Sequence, residues 1–171
     1  MRDVALFMNG VFDSVLQEIL QVQSHLPEQI LFLQPHSSRA MRQLAEVPPS
    51  LTLPMGLFVS ISDDLATVRY AGEIVGWDDK RSLEEPTLHT LNRVIYALQP
   101  NEGGVYGLGE AGKPDMVNLL HVRRLRRLSK LFSVAHLRLV SRGQPLSTGR
   151  TQPGGWSYVV NPDDTSLQPY W

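Results

Sequence analysis

Residues 56–77, GLFVSISDDLATVRYAGEIVGW, contain two apolar runs that are rich in β-branched and aromatic residues and that flank a pair of aspartates. The first run is Gly56–Ser62 and the second is Leu65–Trp77. Runs of this composition are typical of strands, and Asp63 and Asp64 between them indicate a turn. We therefore expect two adjacent antiparallel strands, joined as a hairpin, in the middle of the chain.

The segments on either side of this hairpin predict helices and further strands. Helices are predicted where apolar residues recur at helical spacing or where capping residues begin a run, over residues 11–22, 37–46 and 84–98. Short apolar runs predict strands over residues 29–34, 116–122 and 156–160, and either a strand or a short helix over residues 134–140. The loop Pro100–Pro114 contains five glycines, and we expect it to be the most mobile internal segment.

Length and composition predict one globular domain spanning residues 1–171. A chain of 171 residues, 42% hydrophobic and 19% charged, is long enough to bury a single core. It contains no cysteine, which excludes disulfides, thiolate metal sites and a cysteine nucleophile. The N-terminal residues do not resemble a signal peptide, and no stretch approaches the roughly 20 apolar residues of a membrane span. We expect a cytoplasmic protein that does not enter a membrane, since the lack of cysteine fits a reducing compartment.

Charge is distributed unevenly along the chain, although the net charge is only −1. Residues 116–162 carry eight Lys or Arg and no Asp or Glu, whereas the rest of the chain carries eight basic and seventeen acidic residues, a net charge of −9. Such asymmetry indicates either an anionic partner or neutralisation by the acidic remainder of the chain. The sequence leaves both interpretations open.

The densest basic feature is HVRRLRRLSK, residues 121–130, in which apolar residues recur at every third position. One side of this segment can be buried while five cations remain in water, and we name these five the basic strip: Arg123, Arg124, Arg126, Arg127 and Lys130. Guanidinium groups bind phosphate oxygens bidentately and displace condensed counterions. We therefore predict one exposed positive surface that contacts a nucleic-acid backbone. The alternative is a solvated strip that pairs with the acidic helix start at Glu84 and Glu85.

Aromatic residues lie on or beside the predicted strands. Trp77 and Trp156 each follow a glycine at a strand edge, where a flat indole can form the wall of a slot for a planar base or a methylated group. We predict ligand contacts for these two tryptophans, and for Phe58 and Tyr70 beside them. The alternative is that these side chains pack the core, as strand aromatics usually do.

Motifs for catalysis or metal binding are weak. The five histidines lack the i, i+4 spacing of a metal-binding helix, and there is no Gly-x-Ser-x-Gly elbow. The glycine pattern of Gly107–Gly112 matches the dinucleotide fingerprint by letter, but it follows a glycine loop instead of a strand, which indicates an accidental match. We predict a binding module without metal or cofactor instead of an enzyme. If the chain is an enzyme, the acid–base candidates are Glu73, Lys80 and His121.

The strand Tyr70–Trp77, YAGEIVGW, has a Gly-Glu-Ile-Val-Gly core that is similar to an internal strand of the PUA-like superfamily, which includes EVE, ASCH and YTH domains. Met116–Val122, with the basic and apolar residues after it, looks like the closing strands of those domains. The resemblance covers about residues 30–160, and the family does not require the helix at residues 11–22. It implies a small distorted β-barrel with peripheral helices, whose cleft holds a base, often a modified one, against aromatic side chains.

We thus expect an α+β fold with a mixed, mostly antiparallel, barrel-like β-sheet and peripheral helices. The predicted function is a non-catalytic module that binds nucleic acid or a modified base. Two alternatives stay open. The first is a protein-interaction module of a bacterial defence or toxin–antitoxin type system, whose basic strip docks an acidic protein partner. The second is a small RNA hydrolase, as some ASCH-like domains are suggested to be.

Overall fold

The structure is a computed structural model that describes residues 4–34, 53–102, 118–148 and 156–162. These ranges contain six strands, two α-helices and two short 3-10 turns at residues 80–82 and 134–136. The order of the strands and helices is β1 (Val4–Val11), α1 (Asp13–Gln23), β2 (Leu31–Leu33), β3 (Met55–Ile61), β4 (Thr67–Asp79), α2 (Glu85–Leu98), β5 (Asn118–Ser133) and β6 (Trp156–Val160).

The six strands form one mixed sheet in the order β2-β5-β4-β3-β1-β6. The β1–β3 pair is parallel and the four other neighbouring pairs are antiparallel. After β5 the chain returns to the far edge of the sheet, where Leu139 bridges to Val159 and Val160 N donates to Arg138 O. The sheet is curled into a half-barrel, which confirms the α+β class and the mixed, mostly antiparallel, barrel-like sheet.

β1 is a central strand that sequence reasoning missed. Ala5, Leu6 and Phe7 have no exposed surface, because β1 lies between β3 and β6 and is covered on both faces. Leu6 and Met8 point into one core, whereas Ala5 and Phe7 point into the other. A strand that is buried on both faces is apolar throughout and lacks the alternation by which a strand is usually recognised.

The sheet packs against different elements on its two faces. α1 buries Val15, Leu16 and Ile19 on one face, which we call the α1 face. On the opposite face, the segment that follows β5 buries residues 134, 137 and 146 over the sheet. α2 reaches the sheet chiefly through Ile95, which packs with Phe32 of β2 and residue 119 of β5.

Local patterns predicted most of these elements. The hairpin is confirmed, since β3 and β4 pair antiparallel and Ile61 bridges to Asp64 in the turn. The predicted helices over residues 11–22 and 84–98 correspond to α1 and α2. The strand predicted over residues 116–122 continues through the basic strip to Ser133, and residues 134–140 begin with a 3-10 turn. The helix predicted over residues 37–46 and most of the loop Pro100–Pro114 lie outside the described residues.

Neither helix in the described ranges has the length and apolar character needed to cross a membrane.

Candidate functional site

β5 contains a β-bulge within the basic strip. Ala71 of β4 pairs with Arg126, and Glu73 pairs with Arg123, so β5 has one residue more than β4 between these two pairs. Arg124 lies in the bulge with a φ of 51°, in the left-handed region that few non-glycine residues adopt. Because a bulge bends its strand and re-aims the side chains beside it, it decides where the cations of the strip point.

The bulge also accounts for part of the three-residue apolar spacing. Val122 and Leu125 both pack into the core on the α1 face, although residues three apart in a regular strand point to opposite faces. Gly72 faces the bulge, and a Cβ at this position would lie 3.1 Å from the Cα of Leu125. Leu128 packs into the core on the opposite face. The three apolar residues therefore do not define the single buried side that the spacing predicts.

Two of the five cations of the strip form a network of ion pairs. Arg123 Nε donates to Glu73 Oε2 at 2.8 Å, and Arg123 Nη1 donates to Glu28 Oε2 at 3.1 Å. Arg124 Nε donates to Glu28 Oε1 at 2.5 Å, and Arg124 Nη1 lies 3.8 Å from Glu73 Oε1. The hydrogen bond to Glu28 raises the pKa of Arg124. The predicted neutralisation by acidic residues thus holds for these two arginines, but the acids come from β4 and from the segment before β2 instead of the start of α2.

The remaining cations of the strip, Arg126, Arg127 and Lys130, are exposed. Arg127 pairs with Tyr70, which belongs to the core on the α1 face, whereas Arg126 pairs with Ala71, which belongs to the core on the opposite face. Directly opposed residues of neighbouring strands point to the same face. The basic strip is therefore divided between two faces of the sheet and does not form the predicted single surface.

Further exposed cations lie in the segment that follows β5. Arg138 and Arg142 are exposed, and Arg138 Nη1 donates to the carbonyl oxygen of Gly143 at 3.2 Å. Leu137 and Leu146 of the same segment pack into the core opposite α1. Leu139 pairs with Val159 and packs against the same core, so the side chain of Arg138, between Leu137 and Leu139, points away from that core.

Three of the four aromatic residues predicted to contact a ligand are core residues. Phe58 is 2% exposed and Tyr70 is 1% exposed, while Trp156 is 9% exposed and packs into the core on the α1 face. The Phe58 ring packs edge to face against Phe132 at a centroid distance of 6.1 Å. The Tyr70 hydroxyl donates to Asp13 Oδ1 at 2.5 Å. These three side chains pack the core, as the alternative interpretation of the sequence predicts, because both faces of their strands are covered.

Trp77 is the most exposed of the four predicted aromatic residues. It pairs with Leu120 near the end of β4 and packs against the core on the α1 face, and the residue as a whole is partly buried. A partly buried indole can be fixed by the protein on one side and contact a planar group on another.

The three acid–base candidates lie in different sets of contacts. Glu73 is held by Arg123 and Arg124. Lys80 is 3% exposed, and burial lowers the pKa of its amine to about 8. His121 Nε2 lies 2.7 Å from Asp78 Oδ2, and the imidazole ring meets the edge of Phe32 at a centroid distance of 5.3 Å. Sequence reasoning missed Asp78, which directly follows the predicted strand Leu65–Trp77.

Lys80 belongs to a polar cluster at the end of β2 that sequence reasoning also missed, and we call Gln34, Lys80, Gln99 and Glu102 the edge cluster. Lys80 Nζ donates to Gln34 Oε1 at 2.7 Å, and Gln34 N donates to Glu102 Oε1 at 2.8 Å. Burial raises the pKa of Glu102 to about 8, although Lys80 and the hydrogen bonds of Gln34 favour the carboxylate. No sequence motif marks these residues, because they come from three separate elements of the chain.

Within the described ranges, no group of three or more His, Asp or Glu side chains is arranged to hold a metal ion.

Comparisons with protein-family models, with curated proteins and with solved structures find no match to this chain. The resemblance to the PUA-like superfamily is therefore neither confirmed nor refuted, and the base-binding cleft that it implies stays a prediction.

Proposed function

We propose that the chain is a non-catalytic nucleic-acid-binding domain whose phosphate contacts come from exposed cations of β5 and of the segment after it. The observation that carries the proposal is the charge of residues 118–148, which contain no Asp or Glu and seven Arg or Lys: Arg123, Arg124, Arg126, Arg127, Lys130, Arg138 and Arg142.

The charge of this region is concentrated in the residues that solvent reaches. Two of the seven cations, Arg123 and Arg124, are balanced by the two carboxylates of Glu28 and Glu73. The five others are exposed. Exposed guanidinium groups can approach phosphate oxygens bidentately, and each phosphate that is neutralised releases condensed counterions.

The sheet topology favours one side of the molecule for this contact. Arg126 lies on the side opposite α1, where the segment after β5 covers the sheet. Arg127 lies on the α1 face beside Tyr70, whose hydroxyl is hydrogen-bonded to Asp13. We assign the phosphate contacts to the side opposite α1, because an acidic side chain next to Arg127 disfavours an anion there.

Base contact at Trp77 is proposed as a second, separate contact, because Trp77 is partly exposed and packs on the α1 face, whereas Arg126 lies on the opposite side. A nucleic-acid strand that reaches both residues passes around an edge of the sheet. Every base can stack on an aromatic side chain, and differences in stacking strength give a modest preference among bases. Phe58, Tyr70 and Trp156 are left out of the proposed site because they are buried.

The proposal is tested by titrating short single-stranded and double-stranded DNA and RNA, with and without methylated bases, at two salt concentrations. The variant Arg126→Gln should weaken binding to every oligonucleotide and flatten the dependence of affinity on salt. Arg93→Gln removes an exposed arginine of α2 and is the matched control. If no oligonucleotide binds more tightly than about 100 μM at low salt, where non-specific binders usually bind, the proposal fails.

A second arm of the experiment separates stacking from charge. Trp77→Ala should cost roughly 1–3 kcal/mol of binding free energy, mainly for the preferred base. Bound oligonucleotide should quench tryptophan fluorescence in Trp156→Phe, which keeps Trp77, as in the unchanged protein. Binding without any contribution from Trp77 would reduce the proposal to phosphate contact. Failure of all nucleic-acid binding would favour the alternative in which the basic residues dock an acidic protein.

One contact favours a second candidate function, a small RNA hydrolase. The carboxylate of Asp78 holds His121 at 2.7 Å, and an imidazole oriented by a carboxylate is a typical general base. RNA cleavage by the purified chain that His121→Gln abolishes and Arg93→Gln preserves would support this function. Intact RNA after prolonged incubation would exclude it.

A further inference from the structure

β2 is an edge strand of the described sheet, and its outward-facing backbone groups are known from its pairing. β2 pairs with β5 through Leu31, Phe32 and Leu33, which face Val122, His121 and residue 120. In an antiparallel pair, successive residues alternately bond to the neighbouring strand and point away from it. Phe32 is the residue that points away, since its N–H and C=O groups bond to a side chain on the other side.

The side chain that bonds to Phe32 is the carboxamide of Gln99, just after the end of α2. Phe32 N donates to Gln99 Oε1 at 2.8 Å, and Gln99 Nε2 donates to Phe32 O at 2.6 Å. A carboxamide offers the same donor and acceptor as a peptide group. Gln99 therefore makes the two hydrogen bonds that a residue of an added antiparallel strand would make.

The outward groups on either side of Phe32 are also occupied by side chains. Gln34 N donates to Glu102 Oε1 at 2.8 Å, and Gln29 Nε2 donates to Ile30 O at 3.1 Å. Ile30, Phe32 and Gln34 are the alternate residues that an added strand would meet. Side chains of the same chain thus occupy the outward backbone groups of β2 to which the backbone of an added strand would bond.

The helix that carries this cover is lightly packed. Ile95 is the one residue of α2 that is buried, and Tyr96 and Leu98 are 57% and 37% exposed. Glu102, which completes the cover, is an ionisable side chain in a buried setting beside Lys80, and burying an ionisable group costs free energy because its charged form is disfavoured there. Such an element opens at a lower cost than one with a large buried face.

We propose that β2 is a strand-addition edge, that Gln99 and Glu102 are its displaceable cover, and that its occupant is β2 of a second copy of this chain. An edge strand is a template for pairing with another chain. The proposal goes beyond nucleic-acid binding and uses none of the residues assigned to it.

The choice of a second copy follows from the symmetry of the edge. In a two-fold antiparallel arrangement centred on Phe32, the two Phe32 residues exchange both of their hydrogen bonds, and Ile30 of each strand faces Gln34 of the other. Every outward group that Gln29, Gln99 and Glu102 occupy in one chain then has a backbone partner in the other. The strand Leu31–Leu33 is apolar and carries no charge, so the symmetric pair brings no like charges together.

The test is the self-association of the full chain after the cover is weakened. Gln99→Met keeps the size of the side chain and removes both hydrogen bonds to Phe32. We expect the association constant of the dimer, measured by sedimentation equilibrium, to rise about tenfold or more. The reason is that β2 of the second copy no longer has to displace the hydrogen bonds between Gln99 and Phe32. Gln21→Met changes an exposed glutamine of α1 in the same way and should associate like the unchanged protein.

Hydrogen exchange locates the contact. In monomeric Gln99→Met the Phe32 amide should exchange faster than in the unchanged protein, and it should become protected again as the concentration rises. Dimerisation that leaves the exchange of Phe32 and Gln34 unaltered overturns the proposal, as does a folded Gln99→Met chain that associates no more than Gln21→Met. If Gln99→Met does not fold, Gln99→Asn, whose amide is too short to reach both groups of Phe32, is tested by the same two measurements.

Discussion

Arg126 and Arg127 are consecutive residues of β5 that lie on opposite faces of the sheet, because Arg126 pairs with Ala71 and Arg127 pairs with Tyr70. Two cations that are adjacent in the sequence therefore cannot contact the same stretch of a nucleic-acid backbone from one face. This relationship divides the basic strip and makes the first prediction possible.

The first prediction compares the two single variants Arg126→Gln and Arg127→Gln. Arg126→Gln should weaken oligonucleotide binding roughly threefold to tenfold and lower the slope of log affinity against log salt by about one, as expected for one lost phosphate contact. Arg127→Gln should change both quantities much less, since Arg127 lies on the α1 face. Fluorescence anisotropy at several salt concentrations measures both. Equal effects of the two variants would contradict the assignment of the binding side.

The second prediction concerns the ion pair between Arg123 and Glu73, whose side chains are 27% and 23% exposed. Arg123→Gln should lower the free energy of unfolding by about 1 kcal/mol, which is about 2–4 °C in Tm for a chain of this size. The reason is that Glu73 then loses a charged hydrogen-bond donor in a half-buried position. Thermal unfolding measures the loss.

A double-mutant cycle supplies the control for that pair. Glu73→Gln combined with Arg123→Gln should destabilise less than the sum of the single variants, because both report the same interaction. Arg142→Gln removes an exposed arginine of the segment after β5 and should leave Tm nearly unchanged. Full additivity in the cycle would show that the two side chains contribute independently.

The third prediction concerns Gly72, opposite the bulge. Gly72→Ala should destabilise the protein by about 1–3 kcal/mol, since its Cβ would lie 3.1 Å from the Cα of Leu125 and 3.3 Å from the carbonyl oxygen of Arg123. Backbone atoms of a paired strand cannot move away cheaply. Gly76→Ala on the same strand is the comparison, because its nearest neighbour is Nδ1 of the half-exposed His121 side chain at 3.1 Å. A smaller loss of stability for Gly72→Ala than for Gly76→Ala would speak against the bulge.

The fourth prediction is a pH dependence of stability that arises from the edge cluster. Burial raises the pKa of Glu102 to about 8, so the folded state binds more protons than the unfolded state between about pH 4.5 and 8, and stability falls as pH rises through this window. Burial lowers the pKa of Lys80 to about 8, so the folded state binds fewer protons between about pH 8 and 10.5, and stability rises there. Stability from these two groups should therefore pass through a minimum near pH 8.

Two variants separate the fall in stability below pH 8 from the rise in stability above pH 8. Glu102→Gln, whose amide oxygen can still accept from Gln34 N, should flatten the decline below pH 8. Lys80→Met should flatten the rise above pH 8 and leave the decline, because Glu102 then loses the cation that favours its carboxylate. Denaturant unfolding across the pH range measures the differences between each variant and the unchanged protein. A decline that persists in Glu102→Gln assigns the pH dependence to other groups.

Local sequence patterns predicted the helices and strands that bury only one face. The helical spacing of residues 15, 16 and 19 in α1 and the aspartate turn between β3 and β4 are signals within a short window, and both are confirmed. β1 carries no such signal, because Leu6 and Phe7 are buried on opposite faces. A strand covered on both sides cannot be told from any other short apolar run without its neighbours.

Composition and local patterns are sufficient to predict an α+β fold without disulfides and to show that half of the lysines and arginines lie within residues 116–162. The tertiary structure pairs Arg123 with Glu73, fifty residues away along the chain, through the register of β4 and β5. It also decided that Gln99 closes the edge at Phe32, 67 residues away. Composition and periodicity indicate whether a residue is buried. Which side chains meet across the sheet depends instead on the register of β4 and β5 and on the extra residue in the bulge of β5, which redirects the side chains on either side of it.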